Sequence, residues 1–418
     1  MEKLKTVRGT HDLLEKDFRI IDEIIGVSEE VSRSFNFEKI STPIIEFSDL
    51  FSKTLGVGSD IVQKEMYTFI DQGKESITLR PEGTAAVARA LISNSLYEQI
   101  SQKYFYHGPM FRRERPQAGR LRQFHQFGVE SFNQDSFLCD LEVILLAKKI
   151  LRALALDENL ELQLNTLGTF ETRLKYREKL TIFFLKYEND ISPESKIRLK
   201  INPLRILDSK NEVDKKISKD APKIIESLDD ESLTFYKNIK EGLNKLRINF
   251  VENPNLVRGL DYYNHTAFEF VNNKKGQNAV LAGGRYNGLV SSLGGKDICG
   301  VGWAAGIERI LMMLKDKIIF EKRKKICIFT TSEKLNFDLY KIFDGLKSIT
   351  NISFNIINTG SLKKKFTKAN KLDSIGCILL ADEEYKKNKL IWKDLVTGSQ
   401  ELVEIGKINE FLSKKNFE

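Results

Sequence analysis

The chain is sparing with the residues that staple small folds or hold metals: 418 residues contain only four cysteines, eight prolines, four histidines and two tryptophans. Cys139, Cys299, Cys327 and Cys377 stand far apart with no CxxC spacing, which argues against a disulfide framework or a zinc site and leaves them as small core residues. His11, His107, His125 and His265 show no HExxH or comparable ligand spacing, and no GxSxG elbow accompanies them, so each is expected to be a hydrogen-bonded structural histidine. There is no GxxxxGK[ST] loop, and GVGWAAG (300–306) lacks the spacing and the following βαβ context of a dinucleotide fingerprint. No apolar run reaches membrane-spanning length, and MEKLKTVRGTHDLLEKD at the start resembles neither a secretory signal nor a transit sequence. A cytoplasmic protein without a membrane partner is expected.

What the chain does have is length for two or three domains and a basic balance. The net charge is +8 and the pI near 9.0, which permits a nucleic-acid partner without requiring one. Lys315–Lys325, KDKIIFEKRKK, reads as a charged linker. The segment from Lys325 to Glu418 holds 16 lysines and 12 acidic residues, half of the excess charge, and alternates strand-like and helix-like periods. A compact α/β domain with a mixed sheet is expected there.

The densest chemistry lies in 104–132, YFYHGPMFRRERPQAGRLRQFHQFGVESF. Its pattern predicts strand, long mobile loop, strand, with Arg112, Arg113, Arg115, Arg120 and Arg122 around the loop. Gln126 and Glu130 are an even number of residues apart and share one strand face. Arginine suits phosphate gripped in a fixed fork, although such a hairpin can equally be a solvated basic surface. Upstream, 17–35 has helical spacing, and FNFEKISTPIIEF alternates like a strand but is broken by Pro43, which belongs at an edge or boundary. SITLRPEGTAAVARALIS predicts a strand, a turn at 81–83 and a helix that Thr84 helps to cap, with Glu82 an exposed carboxylate at the turn. Glu82 there is either a ligand contact or simply an acid favoured by the helix dipole. Residues 140–155 predict a second amphipathic helix, 161–168 a strand, and 169–246 a charged helical insertion whose strongest local signal, NPLRILDSK, spacing does not convert into chemistry. NLVRGLDYYNHTAFEF brings Arg258, Asp261, Tyr262 and Tyr263 together, with Gly259 allowing the backbone to bend, and ICGVGWAAGIERILMML joins a strand to a helix with Glu308 and Arg309 at its start.

These pieces resemble the class II aminoacyl-tRNA synthetases. FRRERPQAGRLRQFHQFGVE looks like motif 2, GVGWAAGIERI like motif 3 and FEKISTPIIEF like motif 1; LVRGLDYYNHTAFEF and AGGRYNGL, with TLRPEGT, are similar to the peptides of the histidyl-tRNA synthetase family. The resemblance spans essentially the whole chain. It implies an α+β fold: a catalytic core of antiparallel sheet flanked by helices over 1–320, with a helical insertion at about 170–250 and a C-terminal α/β anticodon-binding domain over 325–418.

The resemblance also implies a homodimer through motif 1 and formation of histidyl-adenylate from L-histidine and ATP with Mg2+, followed by transfer to tRNA(His). Arg112, Arg258 and Arg309 would be the catalytic, ATP-binding arginines. Glu82, Gly83, Thr84, Arg112, Gln126, Glu130, Arg258, Tyr262 and Tyr263 would bind histidine, and Arg115 and Gln117 would meet the tRNA acceptor end. Asn287 replaces the aspartate common in its peptide, beside Tyr286, which is expected to line the pocket. The competing expectation is a catalytically silent paralogue regulating histidine biosynthesis, although such relatives usually lack the terminal domain and the intact RGLDYY peptide.

Overall fold

The computed structural model describes residues 3–56, 59–98, 102–116, 119–132, 135–272, 278–317, 323–347, 349 and 352–415. Its contacts divide it into two compact units, Met1–Ile318 and Ile319–Glu418.

Among the described residues, the first unit is built on an eight-stranded sheet. In spatial order its strands are Glu38–Lys39, Lys103–Phe111, Gln123–Phe132, Gly300–Gly306, Asn278–Arg285, Asn264–Asn272, Glu161–Thr166 and Val251–Glu252. Only the outermost pairings are parallel; the six strands between pair antiparallel. Helices Glu15–Ser34 and Phe137–Ala153 belong to this unit. The first buries Ile20, Ile21 and Ile24 at helical spacing, while Glu15 and Asp17 in its first turn complement the helix dipole. The second starts at Ser136, whose hydroxyl accepts the N–H of Leu138 at 3.2 Å. Trp303 anchors the sheet, its indole N–H donating to the Val143 carbonyl at 2.9 Å and its ring meeting Phe127 edge-on, 5.7 Å between centroids. A buried aromatic of this size contributes on the order of 2–3 kcal/mol through removal from water.

Pro43 does break the strand predicted around it: Glu38–Lys39 becomes a sheet edge, and Ile45–Phe47 joins a separate antiparallel sheet with Ser76–Leu79 and Tyr67–Ile70. One face of this small sheet is apolar, because Ile45 and Phe47, their partners Leu79 and Ile77, and Tyr67 and Phe69 beyond them all point the same way. Ile45, Phe47 and Phe69 are exposed, whereas Glu46 on the opposite face is buried and paired with Arg89.

The insertion is helical despite its charge because polar residues cap it repeatedly. Thr169, Ser192, Asn211 and Asp229 each accept an N–H at the start of helices Phe170–Leu185, Pro193–Ile201, Glu212–Ser218 and Asp230–Lys245. Each such cap stabilises by about 1 kcal/mol. Tyr176, Leu180, Phe184, Leu199, Leu204, Ile206 and Leu207 share one core cluster with Tyr104, Tyr106, Tyr263 and Tyr286.

Among the described residues, the second unit has a five-stranded mixed sheet in the order Ile352–Ile356, Lys324–Thr330, Ser374–Leu380, Lys389–Asp394, Gln400–Glu404, with helices that include Asn336–Asp344, Leu362–Lys371 and Ile408–Lys414. The first two pairings are parallel and the last two antiparallel. No helix among the described residues is long and apolar enough to cross a membrane.

Candidate active site

The centre of the first unit is a buried carboxyl. Glu130, 0% exposed, accepts the Thr84 hydroxyl on Oε1 at 2.7 Å and the Tyr286 hydroxyl on Oε2. Burial pushes its pKa up to about 8, against the two hydroxyls that donate to it, and neighbouring Glu82 adds to the rise. The sheet beneath this carboxyl is bare backbone: Gly302 pairs in register with Glu130, and a Cβ at that glycine would overlap Glu130 Oε2 and the Val129 carbonyl.

Glu82 departs from its predicted exposure. It is only 4% exposed, and its two oxygens accept the N–H groups of Thr84 at 2.7 Å and Ala85 at 2.9 Å, so Glu82 rather than Thr84 caps helix Thr84–Ser93. Thr84 is free to serve Glu130 because that cap is already supplied. Gly83 is needed for space, since a Cβ there would run into the Tyr106 ring.

A tyrosine cluster closes the pocket. The rings of Tyr262 and Tyr263 lie 4.6 Å apart, and each meets Tyr286 edge-on, at 5.7 and 6.1 Å. Gln126, on the same strand face as Glu130, carries a buried Oε1 that has no hydrogen-bond partner. Asn287 links the AGGRYNGL turn to its neighbours: its N–H donates to Asn264 Oδ1 at 3.1 Å and its carbonyl accepts from Asn264 Nδ2 at 2.9 Å.

Three arginines border this pocket. Arg112 donates from Nε to the Pro81 carbonyl at 2.9 Å and lies over the Phe124 ring at 5.3 Å. Arg258 pairs with Glu269 and lies over the Tyr263 ring at 5.1 Å. Arg309 donates to the Ala279 carbonyl, and burial followed by repulsion from Arg120 and Arg112 lowers its pKa. Cations held close enough to repel one another leave a site suited to a polyanion. Glu308 plays a different part: its carboxylate accepts the His125 N–H at 2.9 Å and contacts Nδ1 at 2.8 Å, tying the helix after Gly306 to the hairpin.

The cationic loop, read from sequence as mobile, is tethered over its described length. Arg112 N–H donates to the Arg122 carbonyl at 2.9 Å, Arg113 N–H to the Glu65 carbonyl at 2.7 Å, and Arg122 N–H to the Gly9 carbonyl at 2.8 Å. Arg120 pairs with Glu114 at 3.2 Å. Arg115 is exposed, and Gln117 lies outside the described residues.

Sequence reasoning missed the supports of this site. Arg173 of the insertion donates to the carbonyls of Asp261 and Tyr263, at 2.8 Å to the first. NPLRILDSK provides Asn202, which donates to Asp261 Oδ1 at 3.1 Å, and Arg205, which pairs with Asp60 at 3.1 Å. It also provides Ser209, which donates to buried Asp214 at 2.6 Å. Gly259 is not in the positive-φ region, so bending is not its requirement; a Cβ there would approach Arg205 Nη1 to 2.7 Å. Helical polar residues whose partners lie tens of positions away leave no periodic signal.

The profile of the histidyl-tRNA synthetase family matches residues 9–179 and 190–310. The chain belongs to the histidyl-tRNA synthetase family. Among its relatives, the histidine–tRNA ligase of Gluconobacter oxydans is 45% identical over 414 residues, 99% of each chain. That of Rhodospirillum rubrum is 42% identical over 415 residues, 99% of this chain and 100% of the relative. The apo crystal structure of S. aureus histidyl-tRNA synthetase superposes with a TM-score of 0.77 at 33% identity, covering 99% of this chain and 100% of that one. The α+β fold and the family reading both hold, and membership makes the chain an aminoacyl-tRNA synthetase, a ligase.

Proposed function

We propose that the chain activates L-histidine with ATP to histidyl-adenylate and transfers the histidyl group to the 3′ end of tRNA(His). The observation that carries this reading is one buried carboxyl, Glu130, closed in by Thr84 and the tyrosine cluster and bordered by Arg112, Arg258 and Arg309. In the first step a carboxylate oxygen of histidine attacks the α-phosphorus, the bond to the bridging oxygen breaks, and pyrophosphate leaves with that electron pair. Both reactants are anionic, so the barrier falls when fixed cations hold them in line and neutralise charge that builds on the phosphate. Arg112 and Arg258 take the α-phosphate and the histidine carboxylate, and Arg309 takes the γ-phosphate. Magnesium, brought by ATP, would offset phosphate charge alongside the arginines. In the second step the terminal ribose hydroxyl of the tRNA attacks the acyl carbon, AMP leaves, and the hydroxyl proton is released.

Specificity follows from unpaired polar atoms. Glu130 and Tyr263 engage the two imidazole nitrogens with Tyr262 beside them, while Glu82, Thr84 and Gln126, beside Gly83, receive the α-amino group. A side chain that cannot satisfy both ring contacts leaves buried polar groups unpaired, which discriminates by about 10⁴-fold or more.

The exposed apolar face formed by Ile45, Phe47 and Phe69 supports a homodimer through the motif 1 segment. Arg115 and Gln117 meet the acceptor end, the unit after Ile319 reads the anticodon, and the protein works in the cytoplasm. Exchange of labelled pyrophosphate into ATP, run with each amino acid in turn, tests the reading. Exchange with histidine alone is the expected result; exchange with another amino acid, or none from the folded protein with Mg2+, overturns it.

A further inference from the structure

We propose that Glu269 is a positioning residue for the reaction: it sets the guanidinium of Arg258 so that one edge faces the reacting carboxylate and phosphate. The inference rests on the role given to Arg258 above. Arg258 lies in the irregular segment before strand Asn264–Asn272, where no ladder fixes its backbone. Glu269 lies within that strand, paired with Ala282 on one side and Gln163 on the other, so its backbone is held from both edges. A long side chain from a loop needs an anchor, and a carboxylate on a paired strand is a rigid one.

The contacts divide the guanidinium into held and free parts. Nη1 donates to Glu269 Oε1, and the plane rests over the Tyr263 ring at 5.1 Å. Nε is buried and has no hydrogen-bond partner. Arginine presents its donors in a fixed planar fork, so fixing one nitrogen and one face fixes where the remaining donors point. Both side chains are largely out of water, 14% exposed for Arg258 and 19% for Glu269, so neither charge is well solvated without the other. Burial raises the pKa of Glu269 while Arg258 and, more weakly, Arg309 lower it, which places this carboxylate within reach of both arginine fields.

A carboxylate beside two anionic substrates works against their binding. Its presence there is explained by aim rather than by attraction, and this separates the proposal from a structural role. Removing the charge leaves Arg258 a stronger attractor of ATP but a worse-oriented one. In histidine-dependent pyrophosphate exchange by the full chain, Glu269→Gln is expected to lower kcat by about 10-fold or more, a loss typical of misplacement within a site, without raising KM for ATP. Glu269→Asp, which keeps the charge on a shorter stem, should recover part of that loss. In an Arg258→Ala background Glu269→Gln should change nothing further, because there is no guanidinium left to aim.

Unchanged kcat in Glu269→Gln overturns the proposal, and so does a further equal loss in the Arg258→Ala background. If Glu269→Gln does not fold, Glu269→Asp decides: lower kcat at an unchanged thermal midpoint supports the proposal, and wild-type kcat overturns it. The wild-type assay separates the two levels of inference, since exchange by wild type with an indifferent Glu269 removes only this proposal, whereas an inactive folded wild type removes the function on which it rests.

Discussion

Glu130 gives the site an acid–base signature. Its pKa is raised from the ordinary carboxylate range to about 8, so the folded state favours the protonated form. That contribution to stability is complete below the unfolded value and is lost as pH rises through about 8. Glu130→Gln, which cannot ionise, should therefore gain in thermal midpoint relative to wild type as pH increases across this window, while its KM for histidine rises by at least about 10-fold. Melting curves on the ligand-free protein at a series of pH values check the first part, and a pH-independent difference would contradict the assignment. Arg258→Ala should lose about 10²–10³-fold in kcat for pyrophosphate exchange, the usual scale for removing a transition-state donor, and should melt below wild type because Glu269 loses its counter-ion. Residues of this kind were legible because Arg112, Gln126 and Glu130 crowd into one short contiguous peptide. Glu269 was not, since a single acid in an alternating strand looks like any solvent-facing residue. The burial of Glu82 was misjudged for a related reason: an acid at a helix start usually faces water, and only the folded backbone shows that both oxygens of this one are taken by the helix N–H groups.

At the level of elements, strands are held to helices by charges buried in pairs. Arg285 and Asp140 are both 0% exposed and bonded to each other, and Arg285 also donates to the Ser136 carbonyl at 2.7 Å and lies over the Phe235 ring at 5.1 Å. One side chain thus joins the end of strand Asn278–Arg285 to helices Phe137–Ala153 and Asp230–Lys245. Asp140→Asn takes from Arg285 its buried counter-ion, leaving the exposed Asp135 carboxylate at 3.6 Å, and should destabilise by about 3 kcal/mol, read as a lower denaturation midpoint. A double replacement by apolar residues of similar volume should cost less. Periodicity made the helices and strands readable, because their apolar spacing is local. NPLRILDSK resisted for the opposite reason: Asn202 and Arg205 act on Asp261 and Asp60, so the motif has meaning only once the insertion has folded against the loop that it braces.

For the molecule as a whole, the exposed apolar face carrying Ile45, Phe47 and Phe69 is the surface that association would cover. Phe47→Asp should weaken the proposed homodimer by about 100-fold or more, since it would exchange a large apolar contact for a charge. Sedimentation over a concentration series measures this, and an intact dimer would show that association uses another surface. The bare backbone at Gly302 has a different kind of consequence. Side chains can be exchanged one codon at a time, but the boundary beneath the Glu130 carboxyl is main chain shared by two neighbouring strands. On that side the space around the Glu130 carboxyl is set by two paired strands, whereas the tyrosines on its other sides remain open to substitution. Any redesign of this region would therefore work from the tyrosine side and leave the glycine in place.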